Sequence, residues 1–404
     1  MIVSDEIENK QIAKQYKELL QISYQTLSDG DKKLIRSAFD TAVHAHRNQR
    51  RKTGEPYVLH PINVAKIVAH EIGLDATSIA SALLHDVLED TDLKFKELEK
   101  LFGTGVAKIV EGLNKISRLS IESDISLQAE NFKKLLLTLN EDIRVIIIKI
   151  ADRLHNMQTL DAMTEEKQLK ISSETLYIYA PLAHRIGLYN IKTELEDLSF
   201  KYTEPDRFES IKNNIEESKE EQSSYIKSFS KIIKNALAEE ALEYSIKGRS
   251  KSIFSINRKM TRQNIPFEKV FDKFAIRVVY NSTHRNEKFL AWKIYSIVTD
   301  HFVPNPTRLR DWITSPKSNG YEALHITVMG PDNKWVEVQI RSERMNEIAE
   351  KGYAAHHKYK QGGQKDIGIE SWLDKLHEIL ENNNEMINLS CEFLLNKRII
   401  SILL

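Results

Sequence analysis

Cysteine is almost absent from this 404-residue chain, where Cys391 stands alone. A single thiol excludes both a disulfide framework and a cysteine metal site within the chain. Excess charge of one sign is also missing. The 58 basic residues balance 58 acidic ones, so bulk charge gives no pull towards DNA or an anionic membrane. No apolar run approaches the ~18 residues that a membrane span needs. The start, MIVSDEIENKQ, lacks an apolar signal core. These absences lead to the expectation of a cytoplasmic protein with no membrane partner and no direct DNA binding. What is present is 41% hydrophobic residues, enough for real cores, and a length that suits about two to three domains.

From Lys10 to about Tyr202 the pattern is almost wholly helical. The central stretch is Ser78–Asp90, SIASALLHDVLED, in which Ile79, Ala82, Leu83 and Val87 recur at helical spacing. His85, Asp86, Glu89 and Asp90 interrupt it near its end. Three carboxylates and an imidazole beside an apolar wall are costly to bury unless a cation neutralises them. Upstream, RRKTGEPYVLHP leaves His60 where a loop meets a helix, a place where a histidine is as readily a capping or core residue as a ligand. Downstream, the apolar run Val145–Ile150 delivers Asp152, with Asn156 and Thr159 one and two turns further on. Alone, Asp152 reads as half of a salt bridge. Jointly, His60, His85, Asp86 and Asp152 offer two imidazoles and two carboxylates. That mixed set suits an octahedral Mn²⁺, Fe²⁺ or Mg²⁺ with open positions better than tetrahedral zinc. One ion is expected, because His70 and His155 lack partners at suitable spacing. Lys115–Gln128, polar and serine-rich, reads as a mobile loop or a plain surface connector.

The strings RKTGEPYVLHP, LLHDVLEDT and IKIADRLHNMQTL resemble the HD-type hydrolase domain of the RelA/SpoT homologues, enzymes of guanosine tetra- and pentaphosphate, (p)ppGpp. The resemblance implies an all-α HD domain in which His60, His85, Asp86 and Asp152 bind one Mn²⁺. It implies that Glu89 and Asp90 position and activate the attacking water, although on their own they read equally as a solvated helix end. Arg51 and Lys52 would then hold the nucleotide, with Asn156 and Thr159 near its ribose.

The charged stretch from Pro205 to about Glu240 reads as an exposed helix joining two domains. Beyond Ser245 the texture changes. Phe274–Tyr280, Ala323–Met329 and Trp335–Ile340 read as strands, separated by helices over Lys251–Gln263, Glu287–His301 and Glu343–Lys360. This predicts an α+β layer with a mixed sheet. GRSKSIFSINRKM places Arg249, Lys251, Arg258 and Lys259 around a helix start, and RLRDWITSPKSNGYEALH adds Arg308, Arg310 and Lys317 before a turn and Tyr321. Cations at a helix start suit phosphates, and an aromatic at a turn can stack on a base. Each basic string taken singly is as well explained by a solvated surface. Asp272 and Glu337 together could hold Mg²⁺.

This half resembles the nucleotidyltransferase-like synthetase domain of the same family. By that resemblance Asp272 and Glu337 bind Mg²⁺, and Glu337 helps to activate the 3′-hydroxyl of GDP or GTP. Tyr321 would stack on guanine, while Arg249, Lys251, Lys259 and Lys317 contact phosphates. Ser255, Asn319 and His325 would complete the pockets. The implied activities are hydrolysis of the 3′-pyrophosphate of (p)ppGpp and pyrophosphoryl transfer from ATP. The RLRD string is similar to the basic RxKD variant of bifunctional members. Ser252, Trp312 and His357 depart from the usual residues, which motivates the alternative of a hydrolase whose second half senses guanine nucleotide. The expected organisation is a hydrolase domain over 1–203, a connector over 204–240, a synthetase domain over 241–362 and a tail over 363–404. Regulatory domains are expected to be missing, and ribosome contact with them. The apolar terminal residues could favour a homo-oligomer.

Overall fold

The computed structural model describes residues 2–23, 27–117, 142–238, 240, 242–270, 273–317 and 320–351. The chain divides into two compact units, one built from residues up to Gln168 and the other spanning Leu169–His356.

The first unit is helical: α1 (Ile2–Ser23), α2 (Asp29–Ala45), α3 (Leu59–Lys66), α4 (Ala76–Leu83), α5 (Val87–Asp90), α6 (Phe95–Ser117) and α7 (Ile143–Gln158). Helix α2 starts in a capping box, the Ser28 side chain accepting from the Asp31 N–H while Asp31 accepts from Ser28. In α7, Val145, Ile146, Ile147, Ile148 and Ile150 are all buried. Branched residues in such a run favour strands on propensity alone, so burial on every side decides for helix here. Gly112 of α6 lets that helix lie against Val145, because a Cβ there would meet Val145 Cγ2 at 2.8 Å.

The central stretch Ser78–Asp90 is two helices, not one. Helix α4 ends at Leu83, and His85 and Asp86 occupy a turn before α5. The break turns both side chains inwards, leaving Glu89 and Asp90 exposed at the end of α5. Of the expected loop Lys115–Gln128, Lys115 to Ser117 belong to α6 and the remainder lies outside the described residues.

The boundary between units falls within α8 (Glu165–Glu174). The second unit continues with α9 (Ala180–Arg185), α10 (Tyr189–Thr203), α11 (Pro205–Glu217), α12 (Lys219–Ala238), β1 (Tyr244–Ser250), α13 (Ile253–Gln263), β2 (Phe274–Tyr280), α14 (Glu287–His301), β3 (Arg310–Asp311), β4 (Leu324–Met329), β5 (Trp335–Ser342) and α15 (Glu343–Lys351). The strands form one mixed sheet in the order β1-β2-β5-β4-β3, with only β2 and β5 parallel.

Period-two alternation gives this sheet two unlike faces. Ile276, Val278, Leu324, Ile326, Val336, Val338 and Ile340 form a core with Tyr225, Phe229, Ile233 and Leu237 of α12 and with Ala291, Ile294 and Val298 of α14. Helix α12 therefore covers the sheet and is not the exposed linker its charge suggests. The other face carries Arg249, Arg277, His325, Glu337, Gln339 and Arg341, with Ala275 paired to Glu337, Arg277 to Gln339 and His325 to Gln339. Helices α13 and α15 pack against α10 in this unit.

Candidate metal and nucleotide sites

In the helical unit His60 opens α3, His85 sits in the turn after α4, and Asp152 lies within α7. One ligating atom from each falls within 4.8 Å of the others, and all three residues are buried. His60 Nε2 is 3.1 Å from Asp152 Oδ1, and His85 Nε2 is 3.0 Å from Asp86 Oδ2. Asp86 Oδ2 is also 3.8 Å from His60 Nε2, so the fourth expected ligand stands beside the triad.

The donor set fits a divalent cation. His85 Nδ1 bonds to the Ala82 carbonyl at 2.8 Å, so this nitrogen carries the proton and Nε2 offers its lone pair inwards. His85 Nε2 is buried and makes no well-aligned hydrogen bond, despite its closeness to Asp86. Burial alone would lower the His85 pKa, but the charges of Asp86 and Asp152 outweigh it and hold it up at about 9. Without a cation, a proton does the neutralising. Asp86 is held well below the ordinary carboxylate range, as His85 overcomes burial, and Asp152 likewise through Lys149 and His60. Burial keeps His60 neutral, as a ligand must be.

A supporting shell surrounds these groups. Tyr57 Oη donates to Asp86 Oδ2 at 2.7 Å, and His155 Nδ1 lies 2.8 Å from His60 Nδ1. His155 is thus partnered across space, contrary to the expectation from spacing. Burial and the neighbouring His60 and Arg51 push its pKa down to about 3. Asn156 Nδ2 donates to Asp152 Oδ1 at 2.7 Å, and Arg51 Nη2 donates to Asn156 Oδ1 at 3.2 Å and to Thr159 Oγ1 at 2.9 Å. Three of the expected nucleotide-binding residues are therefore joined to a metal ligand in one network. Lys52 is exposed. Asp90 sits close enough to raise the pKa of Tyr57, after burial and Asp86.

In the sheet unit a cavity of about 390 Å³ is lined by Arg249, Lys251, Ser252, Ser255, Glu337 and Gln339, together with Asp197 of α10. Ser252 caps α13, its side chain accepting from Ser255 N–H. Asp197 accepts from Phe254 N–H at 2.8 Å. Burial raises the Asp197 carboxyl to about 6 against those backbone donors. Four of the expected residues, Arg249, Lys251, Ser255 and Glu337, share this cavity. Tyr321, His325 and Lys317 form a second group: Tyr321 Oη is 2.8 Å from His325 Nε2, and Lys317 Nζ lies 4.0 Å over the Trp312 ring and 5.0 Å from that of Tyr321. Lys259 is half-buried on α13 and Arg308 exposed, and neither lines the cavity. Asp272 and Asn319 lie outside the described residues.

Residues 38–189 match the family described as HD domain, and residues 248–364 match the region found in RelA / SpoT proteins. The two matched regions follow one another along the chain, the HD domain first and the RelA / SpoT region second. The chain is 43% identical over 356 residues to the GTP pyrophosphokinase of Myxococcus xanthus, covering 87% of this chain and 46% of the relative. It is 42% identical over 358 residues to the probable guanosine-3′,5′-bis(diphosphate) 3′-pyrophosphohydrolase of Synechocystis, covering 87% and 46%. Against the bifunctional (p)ppGpp synthase/hydrolase SpoT of Escherichia coli the identity is 39% over 371 residues, covering 91% and 52%. The chain spans about half the length of the curated relatives it matches.

His60, His85 and Asp152 lie within the residues matched to the HD domain, and Arg249, Lys251 and Glu337 of the 390 Å³ cavity lie within those matched to the RelA / SpoT region. Sequence reasoning missed Tyr57, His155, Asp197, Arg277, Gln339 and Arg341. His155 had a signal, lying one turn from Asp152, and Gln339 and Arg341 share the strand alternation of Glu337. Asp197 had none, since its partner is a backbone N–H on another helix. Among the described residues no helix is long and apolar enough to cross a membrane.

Proposed function

We propose that the chain is bifunctional, hydrolysing the 3′-pyrophosphate of (p)ppGpp in the helical unit and transferring pyrophosphoryl from ATP to GDP or GTP on the sheet unit. The observation that carries this reading is the convergence of His60, His85 and Asp152 on one buried point in a chain that also keeps the charged cavity around Glu337. His60, His85, Asp86 and Asp152 would hold a divalent ion, for which we favour Mn²⁺ because imidazoles and carboxylates are mixed in the set. When bound, such an ion supplies a Lewis acid at the scissile phosphate and a more acidic water. Arg51, with Lys52 beside it, binds the nucleotide phosphates, and Asn156 and Thr159 fix the Arg51 guanidinium from below. Glu89 and Asp90, exposed at the mouth of the site, take up the proton of the attacking water. GDP or GTP and pyrophosphate leave.

For synthesis, Arg249, Lys251 and the α13 start receive the ATP phosphates. Tyr321 stacks on the acceptor guanine, and His325 and Lys317 border it. Glu337, with Asp272, would hold Mg²⁺, and Glu337 takes the proton of the attacking 3′-hydroxyl. Positioning and charge neutralisation provide most of the catalysis in such a transfer. The 1–203, 204–240 and 241–362 organisation follows these roles, with α12 of the connector built into the sheet core.

The test is chromatography of labelled ppGpp, and of labelled ATP with GDP, over the purified chain supplied with Mn²⁺ or Mg²⁺. Pyrophosphate release and ppGpp formation are the expected results. Neither reaction under any metal condition would refute the proposal. Hydrolysis alone would point to a guanine-nucleotide sensor in the second half.

A further inference from the structure

Five side chains on the polar face of the sheet close a ring of polar contacts. Arg341 Nη2 donates to Gln339 Oε1 at 2.6 Å and to Tyr321 Oη at 3.4 Å. Gln339 Nε2 donates to Glu337 Oε1 at 2.7 Å. Tyr321 Oη meets His325 Nε2 at 2.8 Å, and His325 Nδ1 lies 3.5 Å from that same Glu337 Oε1. Arg341 is 1% exposed, and its Nε and Nη1 find no acceptor. It reaches no solvent and lines no part of the cavity.

The chemistry of the two ends fixes every bond between them. A guanidinium only donates, and an ionised carboxylate only accepts. Both arms of the ring therefore run from Arg341 to Glu337. Along one arm, the Gln339 amide has its oxygen towards Arg341 and its nitrogen towards Glu337. Along the other, the Glu337 carboxylate beside His325 Nδ1 can only accept, so that nitrogen carries the proton. Nε2 then accepts the O–H of Tyr321, whose oxygen takes the Arg341 donor. Glu337 thus faces donors from both arms on Oε1, and its other oxygen is left for the cavity.

We propose that Arg341 is a positioning residue of the synthetase site, which sets the His325 tautomer and the Gln339 amide so that Glu337 and Tyr321 are held in one fixed relation. This rests on the proposed synthetase reading. It adds that the residue acting on the 3′-hydroxyl and the ring stacking on the acceptor base are coupled through a buried arginine that touches neither substrate.

The experiment uses the full chain and two variants, Arg341→Met and Arg341→Lys. The first readout needs no activity: nitrogen-15 NMR of labelled histidine, with His325 assigned through His325→Gln. The wild type should show the neutral form protonated at Nδ1, and Arg341→Met should show a mixture of tautomers. A wild-type His325 protonated at Nε2, or on both nitrogens near neutral pH, overturns the proposal. The second readout is kcat and KM of ppGpp synthesis, measured separately. Arg341→Met should lower kcat about 10- to 100-fold with KM for ATP changed less than about twofold. Arg341→Lys, which keeps the charge and one donor, should recover part of both effects. An unchanged kcat in Arg341→Met, or a loss confined to KM for ATP, also overturns the proposal. Amide NMR spectra and urea denaturation of the same samples report whether the sheet unit of each variant is folded, and if that of Arg341→Met is not, the lysine variant carries the test. Should the wild type make no ppGpp, the synthetase reading fails, while the histidine spectrum still decides whether the ring exists.

Discussion

His60 Nε2 and Asp152 Oδ1 lie 3.1 Å apart, on helices joined by nothing local in the sequence. Both residues are buried, and the contact places an imidazole and a carboxylate around one point with His85. Asp152→Asn keeps the shape and removes the charge. Hydrolysis of ppGpp should fall at least about 100-fold, since losing a direct ligand costs more than losing a supporting group. Synthesis by the same sample should be unchanged. Chromatography of both labelled reactions checks the split.

Tyr57 orients Asp86 through a 2.7 Å hydrogen bond. Its hydroxyl is kept protonated by burial and by the Asp86 charge, so it has a proton to donate to that carboxylate at neutral pH. Tyr57→Phe should weaken Mn²⁺ binding roughly 10-fold, within the range seen for partners of metal ligands. Calorimetric titration of the apo protein with Mn²⁺ measures this directly.

Gly112 is the point where α6 approaches α7. An alanine methyl would sit 2.8 Å from Val145 Cγ2 and 3.3 Å from Cγ1, and Val145 is both buried and stiff. Overpacking of this kind costs about 1–3 kcal/mol, against a gain of up to about 1 kcal/mol in helix propensity. Gly112→Ala should therefore lose about 1–2 kcal/mol in urea denaturation. Because α7 carries Asp152, hydrolysis should suffer more than synthesis.

Asp197 gives a pH dependence with a defined sign. Burial holds its folded pKa at about 6, above the ordinary aspartate value of about 3.9 that applies to the unfolded chain. Between these values the folded chain keeps a proton that the unfolded chain has released, so stability falls as pH rises through that window. Discounted for a half-buried group, the effect is about 1–2 kcal/mol. Asp197→Asn retains an acceptor for Phe254 N–H and has nothing to titrate. Urea curves at pH 4 and pH 7 should show the variant gaining that amount relative to the wild type. A constant difference at both pH values would mean that Asp197 is not held protonated by burial.

Much of this was legible in the chain, but unevenly. The apolar run of α7 announced its own burial, and HD and ADRLHN contain the polar side chains that meet beside it. The central stretch was read as one helix because its apolar residues keep helical spacing through Leu83 and resume at Val87. Spacing does not register the turn at His85–Asp86 that aims both side chains inwards. Strand β1 escaped notice because its edge residues are mostly exposed and lack an apolar alternation. The charge of α12 suggested a solvated linker, while its stripe of Tyr225, Phe229, Ile233 and Leu237 faces the sheet.

The amino-acid sequence by itself determined which atoms were available: imidazole lone pairs, carboxylates, one donor-only guanidinium on β5, and the periods that make helices and strands. Those are local properties, set by residue type and by neighbours three or four positions away. Only the tertiary structure decided which of these atoms meet. His60 and His155 are partners across 95 residues, and Arg341 reaches Glu337 through two arms because Tyr321, on the loop before β4, leans over β5. Such pairings depend on how packed elements place side-chain tips within about 3 Å of each other, a distance that no spacing along the chain encodes.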